Sequence, residues 1–468
     1  MRFLSYYSPK APWKIVYMLQ QVEYNSTKFI SWATKFPDLS LVQKRGKLQL
    51  TKRAQLMLVL VNATVIFGLF ITAFLILWLG NLWITLGILI IPFGCVLVLG
   101  ISNYLVQVIL VNPKQNHEIN IAKAKLEKFS AQKIAVLGSY GKTTMKELLY
   151  TVLSEGKKVA KTPGNKNVII SHARWVNRSL TGDEDVLVFE YGEAGPGDIG
   201  KLANFSKPDI AVITGITLAH MDAYPNLDAI ATDFANISNV VIPENTYINN
   251  QKILTEKIQG KPFDSHGLGE WKVSDVSISI EGTDFTLTSG RESLVLHTGL
   301  LGLHNIGPIT AVVVVAKKLG LDNNQIIAGV AKTMPFEHRM QPRQLGGAWI
   351  IDDSYNGNIE GMRAGLELLK SLPAKRKIYV TPGLVDQGTE SEEIHVSLGG
   401  LIARAQPNKT VLMENSVTAY IKDGLKQANY KGKVTTETNP LEFYTNIEHF
   451  LASGDVLLMQ NDWPDNYK

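Results

Sequence analysis

Residues 136–149 read VLGSYGKTTMKELL. A short apolar run ends in glycine. A second glycine, a lysine and two threonines then open a helical pattern. Glycines after a strand let backbone N–H groups close around phosphate oxygens, and the positive end of the following helix adds to the attraction. Lys142 is placed to reach β- and γ-phosphates, and Thr143 to offer its hydroxyl to Mg²⁺. The pattern is the short form G-x-x-G-K-T-T, because the longer P-loop pattern would want glycine where Val136 stands. The nucleotide-binding candidates are therefore Gly138, Ser139, Tyr140, Gly141, Lys142, Thr143 and Thr144.

The elements that must hold this loop are legible on both sides of it. Helical periodicity through INIAKAKLEKF leads into the strand KIAVLG, and strand–helix alternation then runs to about residue 260. Residues 271–298 alternate as β-strands, a helix follows at ITAVVVVAKKLGL, and a second strand–helix series begins near residue 340. This predicts an α/β protein with a larger and a smaller α/β module. The segment 54–79 carries no charge and is long enough to span a bilayer as a helix; Gly80-Asn81 predicts a tight turn, and a second uncharged stretch runs from Leu82 to about Val111. A transmembrane helical hairpin is the expectation. Ten Lys/Arg against Glu23 and Asp38 give residues 1–53 a net charge of +8 (10 − 2), and Lys114, Lys123 and Lys125 follow the second span. Positive charge on both flanks predicts both ends in the cytoplasm. Trp13, Tyr17, Trp32 and Phe36 interleave with the basic residues of this arm, which is read either as lying on anionic lipid or as a solvated tail. A whole-chain charge of +5 does not argue for nucleic acid, and the single Cys95 excludes an intramolecular disulfide.

Further segments follow in order. VLVFEYGEAGPGDI puts Glu190 at the end of an apolar strand, and PDIAVITGITLAHMD places His220 after the next one. GLHNI carries Asn305, EHRM carries Arg339, and IIDDSYNGNIEGM carries Asp353. With the short phosphate loop, these motifs resemble the Mur ligase family, the ATP-dependent amide-forming enzymes of peptidoglycan assembly. The resemblance covers about residues 130–460, and IIDDSYNGNIEGM with GTESEEIH is most similar to the branch that adds D-alanyl-D-alanine to a muramoyl tripeptide. With the charge and hydropathy pattern, which give a basic cytoplasmic arm (1–53) and the hairpin (54–111), it implies a central ATP-binding domain (112–340) and a smaller Rossmann-like C-terminal domain (341–468). It implies ATP and Mg²⁺ as cofactors, with Lys142, Glu190 and His220 catalytic and Thr143, Glu190 and His220 around metal. It further implies Asn305 at adenine, Arg339 at phosphate or ribose, Asp353 at ribose, and Ser354, Tyr355, Asn356 and Asn358 near the incoming dipeptide. The partners implied by the resemblance are a muramoyl-peptide precursor and D-Ala-D-Ala; the apolar spans and flanking charge add inner-membrane lipid, and the expected state is a monomer or weak oligomer on the cytoplasmic face of a bacterial membrane.

The sequence also departs from the family. Phe234 stands where many members have a lysine, carbamylated by CO₂, that bridges the metals, and Asp233 or Asp228 are the nearby carboxylates. Pro308 replaces a usual asparagine, and the chain end lacks a basic segment common in the D-alanyl-D-alanine branch. The arm and hairpin occupy the place of the usual uridine-nucleotide domain. Three other readings stay open: a related ligase or amidating enzyme with another, possibly lipid-linked, substrate; a membrane P-loop ATPase; and a silent nucleotide-binding scaffold.

Overall fold

The computed structural model describes residues 2–35, 37–39, 48–80, 85, 87–88, 90–164, 166–217, 224–355, 357–384, 387 and 390–461. The chain forms two compact units, Met1–Asn120 and Ile121–Lys468.

The first unit is helical. Helices α1 (Ala11–Gln21) and α2 (Ser26–Ala33) precede α3 (Lys52–Leu79) and α4 (Ile91–Val106). Thr51 caps α3, its hydroxyl accepting from Ala54 N at 3.2 Å, and Gly80 ends it in the left-handed conformation at φ +63°. The second long helix runs from Ile91 to Leu126, past the expected end of the span near Val111, and residues 81–84, 86 and 89 before it lie outside the described residues. Both helices are long and apolar enough to cross a membrane. Ile66, Phe67, Phe70, Phe74, Leu77 and Trp78 of α3 face outward. The basic arm is not a loose tail, because Tyr6, Ile15, Val16, Leu19 and Phe29 pack with Ala54, Met57, Val61, Cys95 and Leu99 in one core. Tyr17 is buried, so it is not a lipid contact, whereas Trp13 is exposed. Phe36 lies outside the described residues.

The second unit contains two sheets. The first has strands β1 (Gln132–Leu137), β2 (Val159–Lys161), β3 (Val186–Glu190), β4 (Ile210–Ile213), β5 (Thr246–Asn249) and β6 (Lys261–Asp264), followed by β7 (Gly267–Leu268), β8 (Trp271–Ser279), β9 (Gly282–Ser289) and β10 (Glu292–Thr298). Their order is β10-β9-β8-β7-β6-β5-β4-β1-β3-β2. The strands from β2 to β6 pair in parallel and the rest antiparallel. Every residue of β3 is buried, as expected of a parallel strand covered on both faces. From β1 the chain runs to β2 and then β3 on one side and crosses to β4 on the other, so the strand order reverses at the carboxyl end of β1. Open α/β sheets bind ligands at such a switch point.

The second sheet contains β11 (Gln341–Leu345), β12 (Ala348–Asp353), β13 (Arg376–Thr381), β14 (Lys409–Met413), β15 (Lys433–Glu437) and β16 (Asp455–Gln460) in the order β11-β12-β16-β13-β14-β15. β11 is an antiparallel edge and the other pairings are parallel.

Candidate nucleotide site

The loop after β1 has the conformation its glycines allow. Gly138 has φ +154°, and a Cβ there would lie 2.0 Å from Thr214 Oγ1 and 3.0 Å from the carbonyl of Gly215. Gly141 has φ +72° and caps the following helix, α5 (Lys142–Leu153), with no side-chain hydrogen bond. The first-turn N–H groups of that helix are therefore left to an outside acceptor. Met145, Leu148, Leu149, Val152 and Leu153 anchor the helix in the core of the first sheet at helical spacing. Ser139 N donates to Gly215 O at 2.7 Å, and its hydroxyl is buried with no hydrogen-bond partner. A buried unpartnered hydroxyl beside an uncapped helix start fits an anion such as a phosphate group.

Four charged side chains meet at this helix. The Lys142 ammonium lies 3.0 Å and 2.8 Å from the two carboxylate oxygens of Glu193 and also donates to the carbonyl of Gly138. Thr143 Oγ1 donates to Glu190 Oε1 at 3.2 Å. The other oxygen of Glu190 takes no hydrogen bond but lies 2.9 Å from the Lys146 ammonium, a fully buried lysine. Thr144 is half-buried on the same turn. The Thr143 hydroxyl and the Glu190 carboxylate are hard oxygen donors side by side, the set that Mg²⁺ takes, so the residues present fit the ion. Lys142, Thr143 and Glu190 thus lie close together around this helix start. Lys146 and Glu193 were missed.

His172, also missed, supports Glu190 from behind. Burial pushes its imidazole down to about 4, so it is neutral, and Nε2 donates to the Glu190 carbonyl at 3.0 Å. Thr162 Oγ1 accepts from Glu190 N at 3.0 Å, which fixes the backbone of that residue from a second strand.

The remaining predicted residues divide. His220 and Asn356 lie outside the described residues. Among the described residues no three acidic, imidazole or thiol groups gather as a metal cluster. Phe234 is fully buried. Both neighbouring carboxylates have other partners. Asp233 accepts from Gly197 N at 2.7 Å, Tyr224 Oη at 2.8 Å and Asn236 Nδ2 at 3.2 Å, whereas Asp228 is a surface partner of Lys257 at 2.8 Å. Asn305 is buried, and its amide nitrogen donates to Leu301 O at 2.8 Å.

Asp353 ends β12 opposite Gln460 of β16, and Gln460 Nε2 donates to it at 2.7 Å. Burial pushes the Asp353 carboxyl up to about 7, and hydrogen bonds from Gln460 and Met340 with the charge of Arg339 only partly oppose it. The Arg339 guanidinium stacks on the Tyr355 ring at 4.6 Å. Ser354 N donates to Asp352 Oδ1 at 3.1 Å. Asn358 has a structural duty besides any contact with substrate: it caps the helix Ile359–Ser371, accepting from Gly361 N at 2.9 Å. The start of that helix bears on the phosphate loop. Burial first and the Glu360 carboxylate second push the Tyr140 phenol up to about 12, and Gln251 Nε2 donates to the same hydroxyl at 3.2 Å.

Residues 136–316 match the Mur ligase middle domain. Over 366 residues the chain is 26% identical to the UDP-N-acetylmuramoyl-tripeptide–D-alanyl-D-alanine ligase of Bacillus subtilis, covering 75% of this chain and 79% of the relative. It is 32% identical over 275 residues to the Borreliella burgdorferi protein of the same name, covering 56% of this chain and 58% of the relative. Among solved structures, MurF ligase from Thermotoga maritima in complex with ADP superposes with a TM-score of 0.65 at 23% identity, over 74% of this chain and 80% of that one. At that identity the likeness shows the fold.

Proposed function

Taking the chain as a member of the Mur ligase family, we propose that it is an ATP-dependent ligase of peptidoglycan-precursor synthesis that adds D-Ala-D-Ala to a muramoyl tripeptide. The observation that carries this reading is the convergence of Lys142, Thr143 and Glu190 on the loop between β1 and α5. The relatives of that name support the substrate assignment.

Joining a carboxylate to an amine needs an activated acyl group, and ATP with Mg²⁺ supplies it as an acyl phosphate. The work of this chain is positioning and charge neutralisation. The N–H groups of the first turn of α5 and the Lys142 ammonium would hold the β- and γ-phosphates. Thr143 and Glu190 would hold Mg²⁺, and His220 is proposed beside them. Lys146 and His172 fix Glu190 so that its oxygen toward Thr143 stays in place. Asp353 would take the ribose and Arg339 the ribose or phosphate, with Asn305 at the adenine. The segment Ser354, Tyr355, Asn356 and Asn358 would border the amine substrate.

The outward apolar face of α3 and the excess of positive charge before it support anchoring in the cytoplasmic membrane, with the ligase unit on the cytoplasmic side. Such a location suits either a nucleotide-linked or a lipid-linked muramoyl peptide. Mass spectrometry after incubation with each precursor, ATP, Mg²⁺ and D-Ala-D-Ala tests the proposal. An extended peptide is expected from at least one precursor. Nucleotide binding without any extended product would favour the silent scaffold.

A further inference from the structure

An ammonium has three N–H donors and no more. Lys142 meets three acceptors: both oxygens of Glu193 and the carbonyl of Gly138. Both partners of the ion pair are largely shielded, with side-chain exposures of 13% and 4%, so water does not weaken the contact as it would at the surface. A phosphate can claim this ammonium only by displacing one of these acceptors, and the Glu193 carboxylate holds two of the three. The four charged groups around the loop, Lys142, Lys146, Glu190 and Glu193, also sum to zero. These side chains therefore add no net positive charge to the helix start for a polyanion arriving alone. A divalent ion arriving with it can take over the carboxylate and release the lysine.

The same residue answers a second question. Phe234 offers no donor to a metal, and Asp233 and Asp228 are committed elsewhere. Glu193 is a buried carboxylate three residues beyond Glu190, and it approaches the same turn of α5. Mg²⁺ beside phosphates needs only one or two carboxylates, with water completing its shell.

We propose that Glu193 exchanges partners at the phosphate site, neutralising Lys142 until nucleotide and divalent ion enter together and then turning its oxygens to the ion. This rests on the nucleotide-site reading and adds a residue and a binding order to it. Nucleotide affinity becomes strongly metal-dependent because the metal frees the lysine.

The test uses the full chain in detergent, a fluorescent ATP analogue titrated with EDTA or with Mg²⁺, and Mn²⁺ binding followed by electron paramagnetic resonance in the presence of ATP. For E193Q, metal-free nucleotide affinity is expected to rise roughly tenfold and Mn²⁺ affinity to fall roughly tenfold, the scale of one charge-assisted contact. Glu193→Asp keeps the charge and shortens the reach, so it should fall between wild type and E193Q in both titrations. If both variants match wild type in both, the exchange does not occur. Wild type that binds no nucleotide with Mg²⁺ would instead remove the nucleotide site itself.

Discussion

Lys146 lies one helical turn beyond Lys142 and is fully buried, so it has no water to fall back on. Its partner Glu190 is 3% exposed. Removing one member of a buried pair leaves the other charge uncompensated, which typically costs 3–5 kcal/mol. Lys146→Met is expected to lower unfolding free energy by about 3 kcal/mol in a denaturant titration. An unchanged unfolding free energy in this variant would contradict the assigned burial.

Asp353 gives a pH signature. Its carboxyl ordinarily titrates near 3.8 and is raised to about 7 in the fold. Between these values the folded chain keeps a proton that the unfolded chain has released, so stability contributed by this group falls as pH rises through the window. Asp353→Asn should flatten that part of the stability profile. If the carboxylate binds ribose, nucleotide affinity in the wild type should rise as pH passes about 7 and lose that rise in the variant.

At this scale the sequence was read only in part. Lys142, Thr143 and Glu190 were legible because a loop motif and a strand end place them locally. Glu193 and Lys146 were not, since their roles arise from side-chain pairing between α5 and the end of β3 or the loop after it. A lysine between Met145 and Leu149 on an apolar helix face was the available signal for Lys146. The acidic residue three after Glu190 was the signal for Glu193.

The phosphate loop depends on strand β4 as much as on its own glycines. Thr214, just past β4, lies where a Cβ on Gly138 would sit, and its hydroxyl bonds the carbonyl of Tyr140. Gly138→Ala would push this loop against Thr214 and the Gly215 backbone, and it is expected to abolish binding of the fluorescent nucleotide while the far-ultraviolet dichroism of the sheet survives. Near-normal binding would mean the loop does not hold the phosphates. Strand–helix alternation around β1, β3 and β4 was readable because parallel buried strands give short apolar runs separated by helical periods. The continuation of the second long helix to Leu126 was not, because the end of an uncharged stretch does not mark the end of a helix. The helical packing of the basic arm was hidden for a related reason. Its apolar residues are too sparse to announce a core until α3 and α4 supply the other half.

On the scale of the whole molecule, the membrane reading makes a separable prediction. The full chain should float with anionic vesicles in a density gradient, and a variant beginning at residue 112 should stay at the bottom. If the shortened protein uses a soluble precursor as fast as the full chain does, the first unit serves location rather than substrate binding. The central claim concerns the second unit and needs no membrane argument. Phosphate release by the full chain should require ATP, the muramoyl peptide and D-Ala-D-Ala together, with one phosphate per peptide extended. Lys142→Ala should lower that rate by at least about a hundredfold through loss of the charge facing the transferring phosphoryl group. Release independent of either peptide substrate, or undiminished in Lys142→Ala, would contradict the account.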